Sequence, residues 1–529
     1  MSDTDVLIAG AGPTGLVLAL WLQRLGVPVR IVDKVAEPGT TSRALVLHAR
    51  TMELYHQIGI AEAIVGQALR FTAVNLWARG RKVARIVLGD MGAGVTPYPY
   101  MLIFPQDEHE RFLIGRLREN GVEIDRPTEV VGFEERGDRV VVRLKHSDGS
   151  DETCEAAFLA GCDGAHSIVR ESLHTGFPGG TYRHLFYVAD AEASGPVMNE
   201  ELHAALDEAD FLAVFPMKGE RRARLIGTVE QTAETQHDSL EWKDVSRDVI
   251  ERLGIDVKHV NWFSTYHVHH RVAAHFRSGR TFLLGDAAHI HSPVGGQGMN
   301  TGIGDAVNLA WKLAAVLQDR AHHRLLDTYE PERIAFAQRL VATTDRGFQL
   351  VTSDGRLARF VRLQVVPRVL PILVAMKAVR RFMFRTVSQT AIDYRHSTLS
   401  VGVAGKIHGG DRMPWIRFDP SPTGCPDNFD PLASLDWQVH VYGDVSSAIS
   451  DLCKATDLPL HSFAWQDAMY SAGFVRNAVY LIRPDGYVGF ADRDANAANL
   501  QQYLNDRQIR PRERSARTLI NTGKNVESP

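Results

Sequence analysis

The chain opens with an apolar run, DVLIAG, that leads into Gly10-Ala11-Gly12-Pro13-Thr14-Gly15. A longer apolar stretch, LVLALWLQRLG, and a second run, PVRIVD, ending at Asp33, follow. Short apolar runs bounded by glycine predict strands buried on both faces, and the longer stretch predicts a buried helix. A loop over EPGTTSRALVLH leads to a helix over ARTMELYHQIG. The segment AVNLWARGRKVARIVLGD alternates and turns at Arg79-Gly80, the pattern of a hairpin. Helical spacing returns at PQDEHERFLIGRLRENG, where Asp107 and Glu110 predict an N-cap with a capping box. Strands are expected at VVGFEE and RVVVRLKHSDGS, with a turn at Asp148-Gly149, and FLAGCDGAHSIVRESL repeats the strand–loop–helix order.

Between about 181 and 276 the strand-like runs HLFYVADAEA, FLAVFPM, ARLIGTVE and FSTYHVHHRVA predict a β-rich insertion. GRTFLLGDAAHIHSPVGGQGMNTGIGDAVNLAWKLAAVL reads as strand, long loop and long helix. From about 400 the runs LDWQVHVYGD and NAVYLIRPDGYVGFAD and the helical ANAANLQQYLND indicate a small α/β domain. The expected division is a discontinuous nucleotide-binding domain over 1–75, 100–180 and 277–399, a β-rich domain over 76–99 and 181–276, and a third domain over 400–529. The apolar segment Val365 to Val379 is interrupted by Pro367, Arg368, Pro371 and Lys377, well short of a spanning helix. It reads as an amphipathic helix pair packed on the protein or on a second subunit, with an interfacial membrane helix as the alternative.

At 529 residues the chain exceeds one core and predicts two or three domains. With 44% apolar and 23% charged residues it is an ordinary globular chain. A net charge of −4 gives no reason to expect nucleic acid or an anionic membrane as partner. Cys154, Cys162, Cys425 and Cys453 are scattered without a CxxC, which argues against disulfides and a zinc site. The acidic N-terminus lacks the basic segment of a signal peptide, so a cytoplasmic location is expected.

The chemistry starts at the glycine turn. Gly10 permits the tight turn, Gly12 lets a pyrophosphate approach the backbone, Gly15 lets helix and strand pack, and Pro13 and Thr14 begin the helix whose N–H groups face the phosphates. Asp33, eighteen positions after Gly15, is placed for ribose hydroxyls. His267, His269, His270, His289 and His291 have no cysteine or carboxylate partner at ligand spacing, so no metal site is expected. Asp286 follows a buried strand, where a carboxylate can accept hydrogen bonds from sugar hydroxyls. The run Gly295-Gly296-Gln297-Gly298-Met299-Asn300 precedes a helix, and its N–H groups can hold negative charge.

Three separated motifs agree: the glycine turn, Cys162-Asp163-Gly164-Ala165-His166-Ser167 with Arg170, and Gly285-Asp286-Ala287-Ala288-His289 running through Pro293 to Asn300. Together they resemble the single-component (class A) FAD-dependent aromatic hydroxylases with the p-hydroxybenzoate hydroxylase fold, in the phenol and polyketide hydroxylase branch. The resemblance covers residues 3 to about 395. It implies an α/β fold with a Rossmann-like FAD-binding domain of the glutathione reductase type, an inserted β-sheet substrate domain, and a thioredoxin-like C-terminal domain. The last lacks a CxxC, so packing or subunit association suits it better than thiol chemistry.

The resemblance also assigns residues. Asp163 and Gly164 lie near the FAD pyrophosphate, with Arg170 pairing either phosphate or Asp163; Arg43 lies at the flavin and Gln106 near the ribityl chain. Gly296, Gly298, Met299 and Asn300 bracket the reduced ring, and Pro293 lines its oxygen-reaction face. Substrate contacts fall on Phe211, Leu212, Val214 and Phe215, which equally suit a sheet core, and on Arg224, which meets a phenolate or carboxylate or else is an exposed strand arginine. The phenol-activating aspartate of the phenol hydroxylase branch falls on Leu45, which leaves activation to the substrate's own acidity or to another residue, with His48 as one candidate. The implied reaction is an NAD(P)H- and FAD-dependent monooxygenation through a flavin C4a-hydroperoxide that hydroxylates a phenolic or polycyclic aromatic, with NADPH favoured over NADH. The alternatives are Baeyer–Villiger insertion on a related ketone, a reductase without oxygenation, and a non-enzymatic binding protein. The expected partners are O₂ and a small aromatic substrate, with neither nucleic acid nor membrane, and a homodimer is compatible.

Overall fold

The computed structural model describes residues 2–39, 44–88, 91–206, 211–219, 221–229, 240–292, 294–352, 360–418 and 425–512. Val6, Leu7 and Ile8 are fully buried, as a strand covered on both faces requires. Strand Ser2–Ala9 is central in a parallel array ordered Thr281–Leu283, Asp151–Gly161, Ser2–Ala9, Val29–Val32 and Ile124–Asp125. The register pairs Ala9 with both Val32 and Gly161, and Gly161 with Leu283. Parallel strands ending level bring the loops after them to one edge, where ligands bind in such sheets. The three sequence motifs begin at that edge.

Helix Pro13–Arg24 packs against the apolar helix Gly298–Leu317. Helix Gln106–Glu119 starts one residue before the expected cap. Its N-cap is Pro105 without a side-chain bond, and Asp107 pairs with Arg111, so the expected capping box does not form. The carboxylates are drawn instead to donors on their own helix, since Glu110 accepts from Gln106 at 2.8 Å.

A second, eight-stranded sheet begins with the hairpin Ala73–Ala78/Arg81–Val87 and is otherwise built from residues 179–290. Its two faces serve different cores. Leu212, Val214 and Leu225 join a separate cluster with Val249 and Ile250, whereas Phe211, Ala213, Phe215 and Ile226 face the cluster shared with the parallel sheet. The run Phe211 to Phe215 therefore divides by strand alternation. Leu212 and Val214 belong to the separate core, and Phe211, Ala213 and Phe215 face the parallel-sheet side.

The C-terminal residues form a six-stranded mixed sheet with helices Ser447–Ala455, Asp467–Ala472 and Ala497–Arg507. Along the chain, helices Tyr329–Thr352, Val366–Ala375 and Lys377–Val387 precede this sheet. No helix among the described residues is long and apolar enough to cross a membrane.

Candidate active site

The level strand ends put the motifs in contact. Gly10 adopts φ +102°, and a Cβ there would lie 2.3 Å from the Cys162 carbonyl oxygen, so first and second motifs meet only through a glycine. A Cβ on Gly302 would lie 2.3 Å from Thr14 Oγ1, which lets helix Gly298–Leu317 close onto the first motif. Arg170, almost fully buried, donates to the Ala165 carbonyl at 2.8 Å and the Ala287 carbonyl at 3.1 Å, joining second and third motifs. Its guanidinium also stacks over Phe177 and feels the charge of Asp163.

Around that junction the groups suit an adenine dinucleotide. Gly12 is extended, and the direction its Cβ would take is open, with no atom within 4 Å, as a phosphate cradle requires. Pro13 starts the helix without wasting a donor. Asp33 Oδ2 accepts from Ala11 N at 2.7 Å and Oδ1 from Val35 N at 2.9 Å, fixing the carboxylate at the mouth of the turn. Arg126 closes the same corner, donating to the Ala11 and Val35 carbonyls 3.6 Å from Asp33. Asp163 Oδ2 accepts from Val169 N at 3.1 Å, while its buried Oδ1 has no protein partner, and burial pushes the carboxyl up. Gly164 turns the chain at φ +80°, and Asp286 stands exposed on the short turn Gly285–Ala287. These features fit FAD.

The loop before helix Gly298–Leu317 is fixed by Asn300, which is 1% exposed. Its Oδ1 accepts from His48 N at 2.9 Å and Thr51 Oγ1 at 2.8 Å; its Nδ2 donates to the Val46 carbonyl at 2.8 Å and the Gly296 carbonyl at 3.0 Å. Every polar atom of the side chain is used within the protein, so the Asn300 side chain braces the loop. His48 donates from Nε2 to the Gly295 carbonyl at 2.9 Å and is fully buried. Desolvation pushes its pKa down to about 4, so the ring is neutral and weakly basic, and its Nε2 bond ties it to the loop. Gln106 is half-buried and directs its amide to Glu110. Arg43 and Pro293 lie outside the described residues.

Above this edge, on the face with Phe215 and Trp262, Arg224 is 1% exposed and bidentate to Asp190, at 2.6 and 2.8 Å. It is not a surface arginine. Its Nη1 is buried without a protein partner.

The sequence reading missed Asp305, fully buried, which accepts from Gly285 N at 3.0 Å, His289 Nε2 at 2.7 Å and Arg333 Nε at 2.6 Å. Burial alone would raise its carboxyl, but Arg333 and His289 hold it below the usual range. The available signal was a polar stripe, Thr301, Asp305, Asn308 and Lys312, at helical spacing in an apolar helix. Beyond it lies a buried ionic network. Glu332 accepts from Lys312, Asn308 and Arg483; Arg483 also binds Asp485, and Asp485 accepts from Trp311. Arg412 and Arg50 share Glu53. Among the described residues no group of three or more His, Cys, Asp or Glu could hold a metal.

Known proteins share this arrangement. The family described as FAD binding domain matches residues 3–344. A 6-methylpretetramide 4-monooxygenase of Streptomyces rimosus is 37% identical over 422 residues, covering 77% of this chain and 73% of that protein. A flavin-dependent monooxygenase of Mycobacteroides abscessus is 32% identical over 498 residues, covering 92% and 96%. The solved structure of an anhydrotetracycline hydroxylase from Streptomyces rimosus superposes with a TM-score of 0.78 at 28% identity, over 96% of this chain and all of that one.

Proposed function

Because this chain belongs to the FAD binding domain family, we propose that it is an FAD-dependent monooxygenase that hydroxylates a phenolic or polycyclic aromatic substrate with O₂ and NAD(P)H. The observation that carries this reading is the meeting of three motifs at the carboxyl edge of the parallel sheet, beneath a second sheet that presents aromatic side chains and a buried arginine. When bound, FAD supplies the reduction by NAD(P)H and the activation of dioxygen; the protein supplies position and dryness. Asp33 and Asp286 hold sugar hydroxyls, the turn at Gly10–Gly15 holds the pyrophosphate, and Asp163 and Gly164 lie beside it. Gly296, Gly298 and Met299 present backbone N–H groups to the ring, while Arg43 and Pro293 complete its surroundings.

Residues 1–75, 100–180 and 277–399 serve the cofactor, and residues 76–99 and 181–276 serve the substrate. Phe215 and Trp262 stack on a flat ring system, and the spare Arg224 Nη1 donates to a phenolic or carbonyl oxygen. With Leu45 where an acid would be needed and His48 anchored and weakly basic, ring activation rests on the acidity of the substrate's own hydroxyl. The C-terminal part is thioredoxin-like: a parallel βαβ unit, Gln438–Tyr442 to Leu460–Phe463, is followed by a hairpin and a helix. All four cysteines are free, and this domain packs rather than exchanges thiols.

The test is NADPH oxidation by the FAD-loaded enzyme against phenols and polycyclic quinones, with isotopically labelled dioxygen and mass detection. One labelled oxygen in the product is expected. Stimulated oxidation that yields only hydrogen peroxide with every compound, or no oxygen transfer at all, would remove the reading.

A further inference from the structure

Residues 360–387 place seven of the thirteen exposed large apolar side chains of the described residues on one stretch, Ile372 at 68% and Phe382 at 71% among them. The same stretch carries Arg362, Arg368, Lys377, Arg380, Arg381 and Arg385 and no acidic residue, in a chain whose net charge is −4. Its inner face is seated: Val374 and Phe384 are buried, with the Phe384 ring filling the space beside Gly92, and helix Val366–Ala375 lies along the edge strand Arg81–Val87. The outer face combines bulky apolar groups with cations. None of Arg368, Lys377, Arg380, Arg381 and Arg385 lies within ion-pair distance of a carboxylate among the described residues. Burial and the neighbouring cations Arg412, Arg381 and Arg395 lower the pKa of Arg385, opposed by Asp411, which Arg395 already pairs. Of the two partners expected for this helix pair, the enzyme itself covers one face, and the other face is open.

We infer that residues 360–387 dock the enzyme on the surface of an anionic lipid bilayer. Two features select that occupant. Apolar side chains flanked by arginine and lysine, on helices too short to span, are what an interfacial helix needs, and each basic group near an anionic surface contributes about 1 kcal/mol. A second copy of the chain is disfavoured, because a twofold contact sets the same patch against itself, cation against cation with no acid to answer it. Docking leaves the cofactor edge unchanged, so it can be tested apart from the proposed activity.

The experiment is flotation of the FAD-loaded full chain with vesicles of phosphatidylcholine, with or without phosphatidylglycerol. Binding is expected only with phosphatidylglycerol and should weaken as salt rises. The double variant Lys377→Glu/Arg381→Glu should lower partitioning by at least about thirtyfold, since it removes two basic groups and adds two acids. Phe382→Ser should also weaken it. All three positions are exposed, and unchanged melting and flavin absorbance will show that the variants are folded. Three results would each overturn the inference: no binding to either vesicle, equal salt-insensitive binding to both, or a dimer in solution that the charge variant dissolves.

Discussion

Asn300→Ala is the substitution with the most to say about how the flavin loop is built. The side chain satisfies the His48 N–H, the Thr51 hydroxyl and the Val46 and Gly296 carbonyls, in a place almost closed to solvent. Stranding a buried polar group costs about 1–3 kcal/mol. Two of the four can turn to water or to a new partner, so a loss of roughly 2–6 kcal/mol is expected, a large share of ordinary stability. Asn300→Asp should be at least as harmful despite its identical shape, because it points an acceptor at two carbonyl oxygens. Thr51→Val removes one donor and leaves the knot otherwise whole, costing about 1 kcal/mol, so it remains measurable where Asn300→Ala fails to fold. The assay is thermal unfolding of the FAD-loaded and the stripped protein, alongside FAD release by fluorescence. A brace predicts that both forms melt lower. If Asn300→Ala released FAD while the stripped protein melted unchanged, the side chain would be a cofactor ligand and the bracing argument would be wrong.

Acid sensitivity follows from two fully buried histidines. Desolvation holds His48 at about 4 and His109 at about 3, whereas the unfolded chain protonates near 6.5. The unfolded state therefore takes up protons first, and stability should fall from about pH 6.5 towards 4 by roughly 1.4 kcal/mol per pH unit for each ring. Melting curves across that range check it, and His109→Gln should flatten the slope. Glu53→Gln should cost about 3–5 kcal/mol in chemical denaturation, because it leaves two buried guanidiniums without their shared carboxylate. The exposed pair Arg116–Glu119 is the control: Glu119→Gln should change stability by less than about 1 kcal/mol.

Much of this was legible in the chain. The glycine turn, Asp33 and the alternation of apolar runs are local signals, and each became the strand, turn or helix its spacing required. That the three motifs meet was also implicit, since parallel strands of a βαβ array end at one edge. Tertiary demand was not legible. Nothing near Arg170 says that its donors go to Ala165 and Ala287, and nothing near Asn300 says that it reaches back to residues 46–51. Asp107 and Glu110 had the spacing of a cap, but basic and amide donors on their own helix offered closer partners than the frayed backbone. Arg224 could be read two ways because its setting depends on Asp190, a neighbour across the sheet and far along the chain.

The ionic network at the C-terminal sheet bears on inheritance and on engineering. Glu332, Lys312 and Trp311 stand on the cofactor side, while Arg483 and Asp485 come from the hairpin of the last sheet; Arg50 and Glu53 meet Asp485 and Arg412 in the same way. Each side alone is an incomplete set of charges buried in a seam. A protein cut before Val401 would turn a sealed joint into a hole lined by Glu332, Glu53 and Arg50, with the helix that carries Asn300 and Asp305 forming one wall. A C-terminal domain borrowed from another protein would fit this body only if it brought the counterparts of Arg412, Arg483 and Asp485 together. The two portions are matched as a lock and its cut key, so a change of charge on one face needs its answer on the other.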